Sequence, residues 1–558
     1  MKDRTLGALE AAAKFDHHHS EGVITREQNF SVIFKHFYEK PTIALGAEEV
    51  WCYTDRISYQ AGDMVSFHVS SGKPECFLQI VRDGAEPELV HEVKLSGLSL
   101  VPTPEDCYAS GCGWPAIHSW TIPEGTRSGF YKVICRIPGR WRDVVQHHFF
   151  AVREMEPSAR APLLFLCSTA TWCAYNDWGG ANAYEGIDGP NGDRFSPRLS
   201  YQRPFARGLV WLPEGAPRFS SDEKYLPGAA PRYPSFEYGL AHGFAKYYAA
   251  AGWAQFERHF AVWADNNSYH YDVATQSDLD SIPGFLDGYR AVVIVGHDEY
   301  WSGAMRDSMD AYIENGGKVA RFAGNFVWQI RLENDGATQV CYKWAARDED
   351  PVRTSDPTKL TTVWSSATLN RPGGTTFGLS GTSGGYVRVG ATTPRWPGGY
   401  IVYKPRHWAL QGTDLYYGDM FGQEAKIFSY EVDGADYEIR SGQPFATGED
   451  GAPTDMEIIA MGPAINYEPN RNIDGAVYFL AYADAAERTF LKCGETTEAA
   501  FETGGTGSGM MVSFRRGKGE VFNAGSCEWV RGLKEKEPFT EKITRNVLDR
   551  FLATEPDT

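Results

Sequence analysis

The stretch AVVIVGHDEYWS at residues 291–302 places an apolar run directly before three polar residues. Residues Ala291 to Val295 are apolar and mostly β-branched, which is typical of a strand buried on both faces of a parallel sheet. In open α/β sheets, ligands bind at the carboxyl ends of such strands. His297 and Glu299 are two residues apart, so an extended backbone points both side chains the same way. A solvated loop is the alternative interpretation of this stretch taken alone.

The residues that follow predict a βαβ unit. Ser302 is a good N-cap, and apolar residues recur after it at helical spacing until Gly316 and Gly317 end the helix. The segment KVARFAGN at 318–325 then predicts the next strand. Because the connections are short, we expect the strands at 291–295 and 318–325 to be parallel neighbours.

Polar side chains follow three predicted strands at the point where each strand ends. The strand LLFLCS at 163–168 leads to Tyr175 and Tyr184. The two strands of the βαβ unit lead to the His297–Glu299 segment and to Asn325. The carboxyl ends of parallel strands meet at one edge of a sheet, so these groups are expected to lie together. For any single tyrosine, packing in the core is the alternative, since the chain has 29 of them.

Composition excludes some classes of partner. The 558 residues carry a formal net charge of -18, which argues against nucleic acid or anionic lipid, because phosphate contacts need clustered Lys and Arg. No window resembles a membrane span, and the first residues lack the features of a secretory signal. The ten cysteines are scattered, which favours reduced thiols. We therefore expect a cytoplasmic protein without a membrane partner.

The sequence pattern divides the chain into three parts. Residues 1–40 are polar and helical in pattern, with an exposed triple histidine at His17–His19. Residues 41–155 alternate as short strands separated by turns, which predicts an antiparallel β-sandwich. After a linker, residues 160–558 predict a large α/β domain with a parallel, amidotransferase-like sheet and β-rich insertions. A helical apolar stripe runs through 235–253. The predicted fold class is α/β.

Seven motifs give the chain a resemblance to the large (beta) subunit family of N,N-dimethylformamidase. In order they are AYND, NAYEG, YHYDVAT, GHDEYW, AGN, SYEVDGAD and NVLDRF, and the resemblance covers residues 160–558. That family is known for a mononuclear ferric iron held by two tyrosines and one glutamate. Matched by motif, the resemblance implies three iron ligands: Tyr175, Tyr184 and Glu299. It also implies three catalytic residues: His297, Asn325 and Glu431.

The implied ligands suit the implied metal. A ferric ion is a hard acid that prefers oxygen donors, and two phenolates with one carboxylate balance its charge. Such a centre acts as a Lewis acid and activates water. The resemblance therefore implies hydrolysis of the C–N bond of a small N-substituted amide, such as N,N-dimethylformamide, to a carboxylate and an amine. It leaves open whether the chain assembles as a homo-oligomer or with a small partner subunit.

Within this hypothesis the catalytic residues have distinct roles. Glu431 or His297 takes a proton from the attacking water, and His297 can return one to the departing amine. Asn325 donates a hydrogen bond to the oxyanion or orients the substrate.

Two alternatives belong to other classes of function. The pattern His-x-Glu with a distant histidine also resembles the facial triad of a ferrous oxygenase, with His297, Glu299 and His407 as ligands. A non-catalytic binding protein, in which the sandwich holds a glycan or a partner, explains the first 155 residues equally well. It gives no account of the polar residues after 295.

Overall fold

The computed structural model describes residues 36–42, 47–139, 142–186, 195–220, 233–389, 398–465 and 482–553. These residues form a mixed α/β fold with several sheets. The histidines at His17–His19 and most of the predicted N-terminal helical segment lie outside the described residues.

The N-terminal part contains two largely antiparallel sheets. Its strands are β1 (Val50–Thr54), β2 (Ser58–Tyr59), β3 (Met64–Ser71), β4 (Glu75–Arg82), β5 (Glu88–Ser96), β6 (Ala116–Thr121), β7 (Gly129–Ile137) and β8 (Val144–Val152), with one short helix, α1 (Cys107–Ser110). One sheet has the order β1-β3-β6 and the other β2-β8-β7-β4-β5. Alternate residues of both sheets enter one hydrophobic core, which includes Val65 and Phe67 of β3 and Leu78 and Ile80 of β4.

The rest of the chain contains the remaining strands: β9 (Leu163–Cys167), β10 (Arg198–Ser200), β11 (Tyr271–Thr275), β12 (Ala291–His297), β13 (Tyr300–Ser302), β14 (Lys318–Gly324), β15 (Trp328–Glu333), β16 (Thr338–Val340), β17 (Ser380–Val387), β18 (Tyr400–Val402), β19 (Met420–Phe421), β20 (Tyr430–Gly434), β21 (Tyr437–Arg440), β22 (Gln443–Ala446), β23 (Glu457–Ile465), β24 (Thr506–Arg516) and β25 (Gly519–Asn523). Its helices are α2 (Thr169–Ala174), α3 (Pro234–His242), α4 (Glu257–Asn266), α5 (Gln276–Ser281), α6 (Gly303–Glu314), α7 (Ala346–Glu349), α8 (Gly374–Phe377), α9 (Tyr482–Cys493), α10 (Glu498–Gly504), α11 (Trp529–Lys534) and α12 (Pro538–Leu552).

The largest sheet is mixed. Its order is β11-β9-β12-β14-β25-β24-β23-β17-β20, with β18 and β19 attached beside β23. Strands from β11 to β25 run parallel, and those from β25 to β20 run antiparallel. The sheet is therefore not parallel throughout, because the β24–β25 hairpin reverses the chain direction where it joins β14.

The βαβ prediction is confirmed in detail. Strands β12 and β14 are parallel neighbours, with Ala291 opposite Lys318. Helix α6 connects them, and Ser302 Oγ accepts a hydrogen bond from the backbone N–H of Met305 at 3.1 Å. The apolar face of α6 is buried against the sheet, as its spacing predicted.

The helical stripe at 235–253 is only partly helical. Helix α3 ends at His242, because Gly243 adopts a left-handed φ of 70°. The segment beyond it forms turns that bring Ala250 toward the end of β12.

All ten cysteines are free thiols, in agreement with the sequence. Among the described helices, none combines the length and apolar character needed to cross a membrane.

Candidate metal centre

Neighbouring strands deliver the predicted site residues to one edge of the large sheet. Strand β9 leads through α2 to Tyr175, β12 ends at His297, and Asn325 follows β14. Strand β20, from the antiparallel half, contributes Glu431. The convergence at one edge follows from the parallel order of β9, β12 and β14.

Two phenols and one indole hold the carboxylate of Glu299. The hydroxyls of Tyr175 and Tyr184 donate to Glu299 Oε2 at 3.1 and 2.7 Å. Trp328 Nε1 donates to the other oxygen, Oε1, at 2.7 Å. The two tyrosine rings stack with centroids 4.5 Å apart. Three oxygen donors from separate parts of the chain thus meet at one point.

The imidazole of His297 lies between the carboxylates of Glu299 and Glu431. Its Nε2 is 3.2 Å from Glu299 Oε2 and 2.8 Å from Glu431 Oε2. The contact with Glu431 is an ion pair without aligned hydrogen-bond geometry. Nδ1 of His297 lies 2.8 Å from the carbonyl of Ala250, and Asn325 Nδ2 lies 3.3 Å from Nε2. All six predicted site residues therefore share one cluster.

Burial and charge set the protonation of the cluster. Burial, followed by the charge of Glu299, raises the pKa of the Tyr175 and Tyr184 phenols well above the usual range. Burial also raises the pKa of Glu431. Burial alone would raise the pKa of Glu299, but the hydrogen bond and charge of His297 hold it below its usual value. Burial opposes protonation of His297, yet Glu431 and Glu299 raise its pKa to about 10.

The donor set fits a hard cation. Glu299 Oε2 already brings both phenol oxygens within hydrogen-bond distance, and these oxygens are donors that a trivalent ion prefers. A bound cation inverts the local pKa logic and holds phenols as phenolates. The donor atoms of Tyr175, Tyr184 and Glu299 thus suit such an ion chemically.

A buried ion pair anchors the site behind these groups. Arg321 lies between Asp298 and Asp433, with Nε 2.9 Å from one carboxylate and Nη1 2.7 Å from the other. Asp433 also accepts a hydrogen bond at 2.7 Å from the backbone N–H of Asn325, whose φ is 67°. Asparagine tolerates this left-handed conformation better than most residues, and the hydrogen bond to Asp433 holds it so that Asn325 faces His297.

Three further residues lie against the site, and two of them, Lys343 and Cys527, carried no signal in the sequence. The ammonium of Lys343 lies 3.6 Å from the ring centroid of Tyr184, within cation–π distance. Tyr430 Oη is 3.4 Å from His297 Nδ1. Cys527 Sγ forms a further group with ligand atoms of His297 and Glu431, all within 4.8 Å of one another. Lys343 and Cys527 come from distant segments, and only the tertiary fold brings them to the site, whereas Tyr430 lies beside Glu431 in the SYEVDGAD motif.

The ligand set of the ferrous alternative is not assembled. His407 Nε2 lies 2.8 Å from Ser513 Oγ, and its Nδ1 accepts a hydrogen bond from the backbone N–H of Ala409. Among the described residues, the group of potential His, Cys and carboxylate ligands that contains His297 does not include His407.

These features define a class: a mixed α/β protein with a buried, oxygen-rich candidate metal centre at the edge of its large sheet. A family model described as "N,N-dimethylformamidase beta subunit-like, C-terminal" matches residues 82–543. The chain belongs to this family, as its motifs indicated.

Two curated relatives extend the comparison. The N,N-dimethylformamidase beta subunits of Alcaligenes sp and Paracoccus aminophilus are each 24% identical to this chain over 502 residues. Each alignment covers 85% of this chain but 58% of the relative, so the chain spans little more than half of their length. Among solved structures, a calcium-binding mutant of Bacteroides uniformis beta-glucuronidase 2 covers 53% of this chain and 26% of its own. Its 10% identity and TM-score of 0.13 carry no information on fold or function.

Proposed function

We propose that this protein hydrolyses the C–N bond of a small N-substituted amide to a carboxylate and an amine. The observation that carries the proposal is the meeting of Tyr175 Oη and Tyr184 Oη at Glu299 Oε2, beside the His297–Glu431 pair. Membership of the family supports the same reaction, since the relatives are named N,N-dimethylformamidase subunits.

A mononuclear ferric ion is proposed as the cofactor, with Tyr175, Tyr184 and Glu299 as its ligands. When bound, it supplies Lewis acidity toward the amide carbonyl and makes a water molecule more acidic. The three protein ligands carry three negative charges in total, which offset the three positive charges of a ferric ion, so the ion and its ligands are neutral together.

The chain's own residues manage protons and orientation. The His297–Glu431 pair accepts the proton of the attacking water and returns one to the departing amine. Hydrogen-bond contact between His297 Nδ1 and the carbonyl of Ala250 fixes the ring, so Nε2 faces the reacting groups. Asn325, held by Asp433, donates from Nδ2 to the oxyanion.

The same proposal includes the domain organisation, the location and the partner of the chain. The shared core of the N-terminal sheets supports a β-sandwich domain at 41–155, and the site residues lie in a catalytic domain at 160–558. A cytoplasmic location goes with the reduced state of all ten thiols. The relatives are named beta subunits, which supports assembly with a further, small subunit.

The test combines metal analysis with amine release. Purified protein should contain iron in a one-to-one ratio with the chain, show a visible phenolate charge-transfer band, and release amine from members of a panel of N-substituted amides. Asn325→Ala should keep the iron and the band and lose turnover by a factor of about 100 or more. Protein that holds no iron after iron-supplemented expression contradicts the cofactor, and full activity of Asn325→Ala contradicts the role of that residue.

A further inference from the structure

The hairpin formed by β21 and β22 presents an unusual surface. All four residues of β21 are exposed, and within the described residues this strand pairs only with β22. Ile439 is 53% exposed and Tyr437 is 37% exposed. An uncovered strand edge that carries apolar side chains is a template for pairing with another chain.

The turn of the hairpin determines which backbone groups face the free edge. Arg440 pairs with Gln443 across the two-residue turn Ser441-Gly442, whose φ values of 50° and 79° match a type I′ turn. In such a hairpin the pair that flanks the turn exchanges hydrogen bonds, so Arg440 bonds to β22 and Ile439 does not. Pro444, which has no N–H, lies opposite Ile439 and agrees with this register.

We propose that β21 pairs antiparallel with β21 of a second copy of this chain, about a two-fold axis at Ile439. The outward N–H and C=O of Ile439 then bond to those of Ile439 in the second copy. In this register Glu438 lies opposite Arg440 of the second copy, and Arg440 lies opposite Glu438. Within one copy Arg440 already contacts Glu438, and between two copies each of these charges gains a second partner of opposite sign, which favours a second copy as the occupant.

Apolar surface next to the strand extends the same contact. Tyr416 and Tyr417 are 66% and 53% exposed, and Tyr417 Oη donates a hydrogen bond at 2.7 Å to the carbonyl of Gly442. The loop before β19 is thus fixed against the hairpin turn. Of the twelve exposed large hydrophobic residues in the described part of the chain, six lie between Tyr416 and Phe445. Exposed apolar side chains so concentrated in one segment of the chain favour an interaction site there.

Strand β5, which is nine residues long, is another exposed edge in the described part of the chain. Strand β5 closes the five-stranded N-terminal sheet, and its exposed positions include Glu88, Glu92 and Lys94. Its pairing with β4 also contains a register shift. Charges and bulges are features that natural edge strands use against association. Strand β21 also carries two charges, but its pairing with β22 has no register shift, so β5 serves as the control edge.

A charge exchange tests the register. Glu438→Arg places an arginine opposite Arg440 of the other copy at both symmetric positions of the dimer. Arg440→Glu likewise places a glutamate opposite Glu438 of the other copy at both positions. Each variant should therefore raise the dimer dissociation constant by about tenfold or more, measured by light scattering during size exclusion over a hundredfold range of protein concentration. An equimolar mixture of the two variants restores opposite charges at both positions and should dimerise like the wild type. Glu92→Arg on β5 is the matched control and should not change the dimer.

Cross-linking gives an independent measurement. Directly opposed residues of a hydrogen-bonded pair lie about 5.5 Å apart at Cα, which suits a disulfide. Ile439→Cys should form a disulfide-linked dimer on mild oxidation, whereas Leu89→Cys on β5 should not. A wild-type chain that stays monomeric throughout the concentration range overturns the proposal. So does a dimer that both charge variants leave intact, or a mixture of the two that remains monomeric.

Discussion

At the scale of single residues, Glu299 is the residue on which the candidate site depends. Its carboxylate accepts from two phenols and one indole, while His297 lies beside it. Both oxygens of a carboxylate surrounded in this way have hydrogen-bond donors, so the group is held in place before any ligand binds. Fixed donors lower the cost of binding, because less side-chain freedom is lost.

The neighbouring hydroxyls of Tyr184 and Tyr300 allow a matched test of whether Tyr184 is an iron ligand. Tyr184 Oη lies 2.7 Å from Glu299 Oε2 and 2.8 Å from Tyr300 Oη, so each phenol-to-Phe change removes one oxygen from the same small region. Tyr184→Phe should retain less than about a tenth of the wild-type iron and lose the visible band, because a ligand is gone. Tyr300→Phe should keep both. Equal iron in the two variants, measured by elemental analysis, is incompatible with Tyr184 as a ligand.

Local spacing was sufficient to predict part of this arrangement. His297 and Glu299 were expected on the same side because they are two residues apart in an extended segment, and their side chains lie 3.2 Å apart. Lys343 and Cys527 were not predictable in this way. No periodicity links either residue to β12, and their proximity to the site arises from loops and strands far away in sequence.

At the scale of elements, Arg321 connects the parallel and antiparallel parts of the large sheet. It extends from β14, and its two partners are Asp298, which follows β12, and Asp433 on β20. Burial alone would lower the pKa of Arg321, but the two carboxylates raise it. One buried guanidinium between two carboxylates gives the group a net charge of −1, so its contribution to stability depends on the hydrogen bonds that both carboxylates accept as well as on charge.

Asp433→Asn should therefore destabilise the protein by about 1.5–3 kcal/mol, since an amide cannot accept all the hydrogen bonds that Asp433 receives from Arg321 and from the backbone N–H groups of Asn325 and Phe326. It should also weaken the hydrogen bond that fixes the backbone of Asn325. Chemical unfolding measures the first effect. Asp335→Asn is the control, because Asp335 is exposed, has a φ of 53° that asparagine tolerates, and should change stability by less than about 0.5 kcal/mol. Similar stability of both variants would show that the Arg321 network contributes little.

Element types were predictable where the period was clear, and boundaries were not. The cap at Ser302 and the spacing of the apolar face specified α6, whereas the stripe after Pro234 continued in sequence past the point where Gly243 ends α3. The mixed character of the sheet was also hidden, because strand direction depends on which neighbours pair. That pairing is decided by the tertiary fold rather than by the apolar pattern of β23 and β24.

At the scale of the whole molecule, buried neutral histidines determine how stability responds to acid. His148 is fully buried, and burial lowers its pKa to about 3. The ring accepts a hydrogen bond on Nε2 from the backbone N–H of Thr54 at 3.2 Å, which ties β8 to the end of β1. In the unfolded chain the same side chain has an ordinary pKa of about 6.5. Between these two values the unfolded state binds more protons than the folded state.

The free energy of unfolding therefore rises with pH through this window, and stability is lost as the pH falls below about 6.5. Lowering the pH from ~7 to ~5 should cost about 2 kcal/mol through His148 alone, which is 1.36 kcal/mol for each of ~1.5 pH units. His148→Gln keeps an acceptor for Thr54 and has no charge to gain, so it should lose about 2 kcal/mol less than the wild type over that range. His270→Gln, at an exposed position, is the control. Unfolding measured at both pH values decides the matter, since parallel losses in wild type and His148→Gln would assign the acid sensitivity to other groups.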